Sequence, residues 1–222
     1  MEILKKDNKV NRIYFISDIH IKNDASHNDK YYSVFKNLFK KYKDEKVNKD
    51  DLIVITGDIM DNGYTVSGNA IEMAKFFYIN LSNFCPIVSI LGNHDLKTNV
   101  DTLTPIVKEY LKTKHELHFL LDNKIYLYGQ IAFGHTRMDT KEVTSCKIYN
   151  KDYITISLYH GMLKGAKLDN GMDCRDCLLL SSFKDYKYCA FGDLHTQQYL
   201  RKDKDKTAFY TGSLIAQKIS ED

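Results

Sequence analysis

The stretch LIVITGDIMD, residues 52–61, joins an apolar run to a turn that contains two carboxylates. The run is rich in β-branched residues and is typical of a buried strand. The glycine and the aspartates that follow it favour a turn where the strand ends. The stretch therefore predicts a strand that presents Asp58 at its exit.

Four other stretches repeat this order of an apolar run followed by a polar turn. Their turns read SDIH (residues 17–20), GNHD (92–95), YHG (159–161) and GDLH (192–195). In a layered sandwich of such strands, side chains at the strand ends meet in one crevice. Aspartate, asparagine and histidine together form a mixed oxygen and nitrogen shell that suits divalent cations. The five turns therefore predict a metal site at one edge of the sheets.

Two of the turns place metal-binding side chains two positions apart. A strand makes residues i and i+2 point the same way, so Asp18 and His20 are expected to offer two ligands to one side. The same expectation holds for Asp193 and His195. One such turn alone is more often ordinary loop chemistry, but five in order, four of them with a histidine, favour a metal site.

The remaining periodicity predicts an α/β fold, a two-sheet mixed β-sandwich flanked by helices with the metal site at the carboxyl ends of the strands. Helices are expected over residues 29–45, 67–81 and 102–114, with Ser67 and Thr102 as N-caps. Strands are expected over residues 12–17, 52–56, 87–91, 118–121, 124–128, 131–134, 154–159, 188–191, 198–200 and 208–211. Residues 165–180 are expected to form a loop with one helical turn.

Length and composition bound the class of protein. The 222 residues are enough for a sizeable core, and one domain over residues 1–222 is expected. No apolar run approaches the roughly 20 residues that span a bilayer, and the N-terminal MEILKKDNKV lacks the apolar block of a signal peptide. We therefore expect an intracellular protein, cytoplasmic or nuclear, that has no membrane partner. Five cysteines, an odd number, favour reduced thiols, although the CxxC of Cys174 and Cys177 leaves a zinc half-site or a redox pair open.

The order and content of the five turns resemble the calcineurin-like metallophosphoesterase family, whose pattern runs DxH, GDxxD, GNHD, a separate His, and GHxH. The resemblance spans nearly the whole chain and implies two metal ions that share Asp58. It assigns one ion to Asp18, His20, Asp58 and His195, and the other to Asp58, Asn93, His160 and Asp193. Asp193 departs from the pattern, because the family usually has histidine there. A carboxylate is a harder ligand, so we expect a preference for Mn²⁺, with Mg²⁺ as the alternative, over zinc.

Segments beyond the metal turns are similar to SbcD-type nucleases of double-strand-break repair, especially their shorter viral and phage relatives. These segments read SDIHIKND, YYSVFKNLF, GNHDLKTNVDTLTPIV, LYHGMLKGAKLDNG, GDLHTQQ and FYTGSLIAQ. The resemblance implies a manganese-dependent DNA exonuclease and endonuclease in DNA repair or recombination. It also implies a homodimer with an SbcC-type coiled-coil ATPase partner. Only IAQKISED follows the TGSL motif, so the capping domain and ATPase-binding tail are expected to be absent from this chain.

Two cations would neutralise a phosphate and activate a bridging hydroxide, with Asp58 as the shared carboxylate. His94 is expected to donate a proton or a hydrogen bond to the leaving alkoxide, and Asp95 to orient the imidazole of His94. Lys164 and Lys167 are expected to bind substrate phosphates. The net charge of +3 adds only weak support for a polyanion partner.

Two other functions remain open at this point. The same centre would serve a phosphatase or phosphodiesterase acting on nucleotides or other small phosphoesters, because the surrounding loops decide what enters. A non-enzymatic interaction module on the same fold is disfavoured because the ligand-type residues are all present. His135, in the turn-like FGHTRMD, is left out of the ligand set.

Overall fold

The computed structural model describes residues 1–62, 65–97, 100–101, 113–149, 151–167 and 177–216. Two α-helices lie in these ranges, α1 (Asn28–Asp44) and α2 (Gly68–Leu81). The strands in these ranges are β1 (Glu2–Lys5), β2 (Ile13–Ile16), β3 (Leu52–Ile55), β4 (Ile87–Ser89), β5 (Leu96–Lys97), β6 (Val100–Asp101), β7 (Leu117–Phe119), β8 (Lys124–Tyr128), β9 (Ile131–Thr136), β10 (Ile154–His160), β11 (Leu163–Lys164), β12 (Leu178–Leu179), β13 (Tyr188–Gly192), β14 (Gln198–Lys202) and β15 (Thr207–Tyr210).

Two sheets form the body of the structure. The first is a four-stranded parallel sheet in the order β2-β3-β4-β7. The second has seven strands in the order β1-β8-β9-β10-β13-β15-β14, of which the pairs β8-β9 and β14-β15 are antiparallel. Two short pairs, β5-β6 and β11-β12, complete the described strands. The predicted two-sheet mixed α/β fold is confirmed.

The central strands β3 and β4 of the first sheet are buried on both faces, which explains their continuous apolar sequences. In β3, alternate side chains go to opposite sides because successive residues of a strand point in opposite directions. Val54 packs against residues of the second sheet such as Phe133 and Leu158. Ile53 and Ile55 pack instead against the helices. The central core therefore lies between the sheets, and the helices cover the outer face of the first sheet.

The helices follow their sequence signals. Ser67 caps α2 by accepting a hydrogen bond from the Ala70 N–H at 3.1 Å, as predicted. Tyr31, Phe35 and Tyr42 form the buried stripe of α1. The ring of Phe35 lies 4.5 Å from that of Phe77 in α2, centroid to centroid. The predicted helix over residues 102–114, with its cap Thr102, lies almost entirely outside the described residues.

Some predictions need correction. Strand β1 was not predicted, because its EILK segment is short and only half-buried at the edge of the second sheet. Cys85, Cys146 and Cys189 are free and buried, as expected. Cys177 is disulfide-bonded, so the expectation of a reduced thiol is wrong there. An odd number of cysteines carries no information about an individual residue. Neither described helix is long and apolar enough to cross a membrane.

Candidate metal centre

The five polar turns meet at one edge of the two sheets. Strands β2, β3 and β4 run parallel in the first sheet, and β10 and β13 run parallel in the second, so their carboxyl ends face the same way. His160 is the last residue of β10, and the turns that follow the other strands carry the predicted ligands Asp18, His20, Asp58, Asn93, Asp193 and His195. Asp18, Asp58 and His160 are almost fully buried, with 0%, 1% and 2% of their surface exposed. The chain thus places charged groups deep between the sheets.

The backbone at these turns is in the left-handed conformation, which residues other than glycine rarely adopt. Asp18, His20, Asp58 and Asp193 have φ angles of 50°, 51°, 53° and 90°. Among the described residues, Lys46 is the one other non-glycine residue with a positive φ. Such conformations cost about 1–3 kcal/mol each and cluster at functional sites, where the surrounding structure holds them. The backbone strain therefore indicates a functional site at these turns independently of the sequence motifs.

This backbone geometry corrects the predicted reason for the paired ligands. Strand β2 ends at Ile16 and β13 ends at Gly192, so the residues after them lie outside the strands. Left-handed turns, rather than strand alternation, bring Asp18 beside His20. The pairing of the two side chains was expected, but the predicted reason for it was wrong. An apolar run does not show to within one or two residues where its strand ends.

Adjacent ligand turns are tied to each other through backbone hydrogen bonds. The Asp58 carbonyl accepts the N–H groups of Ile19 and His20 at 2.8 and 3.1 Å. Gly92 lies so close to Asp58 that a Cβ there would sit 2.0 Å from Asp58 Oδ1. The glycine of GNHD is therefore needed for the close approach of two turns. Together these contacts position Asp58 at the centre of the site.

One group of ligand atoms surrounds His20. Its Nε2 lies 3.1 Å from His195 Nε2, 3.8 Å from Asp18 Oδ1 and 3.7 Å from Asp58 Oδ2. The ligand atoms of Asp18, His20 and His195 all lie within 4.8 Å of one another. The structure therefore brings together the four residues that the resemblance assigned to the first ion.

A second group surrounds His160. Its Nε2 lies 3.2 Å from Asp58 Oδ2, 3.1 Å from Asn93 Oδ1 and 4.0 Å from Asp193 Oδ1. His160 Nδ1 donates to the Thr56 carbonyl at 2.7 Å, because a carbonyl can only accept. That bond leaves the Nε2 lone pair directed at the other three side chains. Asp58 belongs to both groups, as expected for a shared ligand.

The buried charges shift the pKa values of these groups. Burial raises the pKa of Asp18 to about 6. Burial also acts to raise the pKa of Asp58, but the neighbouring His160 outweighs it and lowers the value to about 2. His160, although fully buried, has its pKa raised well above 6.5 by Asp58 and other carboxylates. Burial lowers the pKa of His20 to about 4. The site thus concentrates carboxylates that need a compensating positive charge.

The donor set suits divalent cations. It combines the carboxylates of Asp18, Asp58 and Asp193, the amide oxygen of Asn93 and the imidazoles of His20, His160 and His195. Such oxygen and nitrogen ligands fit Mn²⁺ and related ions, whereas structural zinc and iron–sulfur sites favour thiolates. The residues present therefore fit the metals that the resemblance implies.

Asp95 has a different task from the one predicted for it. The carboxylate is fully buried and accepts the backbone N–H groups of Ile59, Met60 and Gly92, each at 2.9 Å. Burial raises its pKa to about 7, while the backbone bonds act in the opposite direction. Asp95 therefore joins the GDIMD turn to the GNHD turn. The contact that fixes the His94 ring comes from elsewhere.

Two supporting residues were missed in the sequence. His94 Nδ1 donates to the carbonyl of Asp61 at 2.5 Å, and His94 N–H donates to Asp58 Oδ1 at 2.9 Å. Asp61 is the last residue of the GDIMD motif, so the sequence already singled out the position that holds the His94 ring. Tyr31 of α1 donates to the His20 carbonyl at 2.6 Å. No local pattern links a helix residue to a distant turn, so this contact needed the structure.

Lys164 and Lys167 are both exposed. Lys164 ends β11, a few residues after His160, and the backbone N–H of Lys167 donates to Gln198 Oε1 at 3.0 Å. Their role in binding substrate stays a prediction.

Residues 11–197 match the family model described as calcineurin-like phosphoesterase. The chain therefore belongs to the calcineurin-like phosphoesterase family, which indicates metal-dependent hydrolysis of phosphoesters. It is also similar to uncharacterized protein R555 of Acanthamoeba polyphaga mimivirus, with 34% identity over 234 aligned residues. That alignment covers 98% of this chain and 17% of the viral protein, so the chain spans a small part of its relative's length.

Divalent metal is expected to stabilise the fold, because ions that bind the native centre shift the unfolding equilibrium. At a Mn²⁺ concentration 100 times the dissociation constant, the free energy of unfolding rises by about 2.7 kcal/mol. Asp58→Asn removes the shared negative charge and is expected to abolish most of that gain. The measurement is urea unfolding of chelator-treated protein with and without Mn²⁺. Asp152→Asn, at an exposed carboxylate in a turn, is the matched control and keeps the full gain.

Proposed function

We propose that this protein is a metal-dependent DNA nuclease that hydrolyses phosphodiester bonds. The observation that carries the hydrolytic centre is the sharing of Asp58 Oδ2 by His20 Nε2 at 3.7 Å and His160 Nε2 at 3.2 Å. Support for DNA comes from the segments around the metal turns, which resemble SbcD-type nucleases beyond the motifs common to the whole family. The proposal includes a role in DNA repair or recombination.

The seven ligand-type residues would hold two cations, Mn²⁺ in this proposal, which would offset the phosphate charge and make a bound water nucleophilic. The chain's contribution is to orient the ligands before substrate arrives. The Thr56 carbonyl holds the His160 tautomer, and Tyr31 holds the His20 backbone. Asp95 ties the GDIMD and GNHD turns together. Asp95 thus acts by positioning, through backbone groups.

His94 is the proposed proton donor to the leaving oxygen. The Asp61 carbonyl occupies its Nδ1, so Nε2 is the ring nitrogen left for substrate. The His94 ring packs edge-on against His20, with centroids 4.7 Å apart. The ring therefore lies next to the centre, held by the backbone N–H bond to Asp58 and by the Nδ1 bond to Asp61.

His94 also stands close enough to be a ligand, since its ring nitrogen belongs to a group with His20 and Asp58 within 4.8 Å. The bond to Asp61 leaves one nitrogen, which serves either a cation or the leaving group. The proposal assigns it to the leaving group. Substitution separates these roles, because a ligand and a proton donor differ in what their loss does to metal affinity.

Asp193 is the proposed determinant of metal choice. Its carboxylate lies 4.0 Å from His160 Nε2, and its backbone N–H donates to Asp18 Oδ1 at 3.1 Å. The position is therefore within the centre, where the family usually has histidine. A third carboxylate increases the negative charge and the hardness of the donor set, which favours Mn²⁺ or Mg²⁺.

A phosphodiesterase for nucleotides or other small phosphoesters is the alternative, and the same centre supports it equally. The net charge of +3 is far below that of a dedicated DNA-binding protein, so it does not decide between the two. A homodimer and an SbcC-type ATPase partner belong to the nuclease proposal alone, whereas an intracellular location is proposed for either activity. Lys164 and Lys167 would contact DNA phosphates in it.

The nuclease proposal predicts that Mn²⁺ elicits cleavage of end-labelled single- or double-stranded DNA, and that chelator or Asp58→Ala abolishes it. The measurement is gel analysis of the products, with bis-p-nitrophenyl phosphate hydrolysis measured in parallel. Cleavage of the small diester without cleavage of DNA would replace the nuclease by the alternative. If the wild-type protein with bound Mn²⁺ cleaves neither DNA nor the small diester, both proposals are contradicted.

His94→Asn is expected to lower turnover about 10²- to 10⁴-fold, because it removes the proposed proton donor. Mn²⁺ affinity, measured by calorimetry on the chelator-treated protein, is expected to stay within about twofold of the wild type, since the proposal leaves His94 out of the ligand set. His115→Asn, just before β7 at the opposite edge of the sheet, is the control and keeps both values. A large loss of Mn²⁺ affinity in the His94 variant would make it a ligand.

Asp193→His is expected to shift the ratio of zinc to Mn²⁺ affinity toward zinc by about tenfold or more, because imidazole is the softer donor. Competition calorimetry and the metal content of the purified protein measure this ratio without reference to activity. Asp203→His changes an exposed hairpin residue in the same way and is the matched control. An unchanged ratio in the Asp193 variant would remove Asp193 from the metal centre.

A further inference from the structure

An apolar hollow opens beside the metal centre. About 50 Å³ of it can hold the centres of water-sized spheres, and it is open to solvent. Its walls are mainly the side chains of Leu91, Leu96, Leu120, Leu121 and Met138. Leucine surface left open to water costs free energy, and apolar pockets with a few polar groups are typical of ligand sites.

The hollow lies one strand along from the metal centre in both sheets. Strand β7 pairs with β4 in the first sheet, and β9 pairs with β10 in the second. The lining residues follow the carboxyl ends of β4, β7 and β9, at the same edge as the ligands. Leu91 and Leu96 bracket the turn that carries Asn93 and His94. That turn therefore separates the hollow from the centre and contributes to both.

The hollow contains a hydrogen-bond acceptor, Nε2 of His135. His135 is only 4% exposed, and its Nδ1 donates to the Asp122 carbonyl at 3.1 Å. Its Nε2 is then a hydrogen-bond acceptor, and this atom has no hydrogen-bond partner in the part of the chain that the structure describes. Burial lowers the pKa of His135 to about 4, so the ring stays neutral near pH 7. This ring nitrogen is therefore available to a hydrogen-bond donor on a ligand.

The cation at the rim is already neutralised. Arg137 forms two parallel hydrogen bonds to Asp139, Nε to Oδ1 at 3.0 Å and Nη2 to Oδ2 at 2.7 Å. A third bond runs from Nη1 to the Leu121 carbonyl at 3.3 Å. The guanidinium is thus held flat and paired, which suits stacking on a planar ring better than binding a phosphate. The occupant that fits is uncharged.

We propose that the hollow binds the base of a nucleotide, one with an exocyclic amino group such as adenine, next to the phosphodiester at the metal centre. Leucine side chains and the flat guanidinium of Arg137 cover the faces of the base, and His135 Nε2 accepts from its amino group. Apolar contact with the ring and one directional hydrogen bond together give recognition. This inference rests on the proposed function, since it takes the substrate to contain nucleotides.

Binding of adenosine to metal-free protein tests the hollow apart from catalysis, because adenosine carries no phosphate. The probes are adenosine, ribose and N6,N6-dimethyladenosine, followed by saturation-transfer NMR in the presence of chelator. Adenosine is expected to bind with a dissociation constant near 1 mM, about 4 kcal/mol. Ribose is not expected to bind, and the dimethylated probe is expected to bind about tenfold more weakly because it lacks the N–H donor. Equal binding of both adenosines would overturn the assigned hydrogen bond and with it the proposal.

Two substitutions locate the binding. Met138→Trp fills the hollow and is expected to abolish the adenosine signal, whereas His135→Phe is expected to remove the difference between adenosine and its dimethylated form. Ile148→Ala, at a side chain that is 79% exposed elsewhere, is the control and keeps wild-type binding. Thermal unfolding shows which variants are folded, and the comparison of the two adenosines on the wild type needs no variant. Unchanged adenosine binding in folded Met138→Trp would place the site elsewhere and overturn the proposal.

An experiment can distinguish an error in the proposed base-binding site from an error in the proposed function. Oligonucleotides with a single abasic position are expected to be cleaved about tenfold more slowly next to that position than their adenine counterparts. In Met138→Trp the two are expected to be cleaved equally, because the base no longer has a site. An abasic position without effect on wild-type cleavage overturns the hollow and leaves the nuclease intact. Adenosine binding in a protein that cleaves no phosphodiester supports the hollow and contradicts the proposed function.

Discussion

The centre depends on the bonds made by Asp58, a buried residue with a left-handed backbone. Its carbonyl accepts the N–H groups of Ile19 and His20, and its Oδ1 accepts the N–H of His94. Its Oδ2 faces His20 on one side and His160 on the other. One residue thus contacts turns from β2, β4 and β10 at once. Because these contacts come from both sheets, the position of Asp58 sets the width of the crevice between them.

Much of the fold was predictable because burial leaves a direct trace in the sequence. The run LIVI of β3 is buried on both faces, and a continuous apolar run is what such a strand requires. The edge strand β1 left no comparable trace, since half of its residues face solvent. The seven ligand-type residues also converge where the motifs placed them. Their grouping followed from strands that end at a common edge, which the alternation of strands and helices already indicated.

The supporting contacts were not predictable in the same way. Asp95 was expected to orient His94, but its carboxylate accepts three backbone N–H groups, and backbone groups have no residue-specific signal. The contact between the Asp61 carbonyl and the His94 ring was not predictable for the same reason, because it also uses a backbone group. Tyr31 reaches the His20 turn from α1, a contact between segments whose relation only the packed structure defines. Motifs therefore identified the ligand-type residues that converge, whereas tertiary packing decided what orients them.

The left-handed turns have a consequence for how the protein folds. Each of these conformations is unfavourable in an isolated segment, and each is compensated by contacts that come from the other sheet or from a neighbouring turn. Local formation of the ligand turns early in folding is therefore disfavoured, and their geometry matures only when the two sheets dock. A cation that recognises the finished arrangement would bind late on the folding pathway and would slow unfolding more than it speeds refolding.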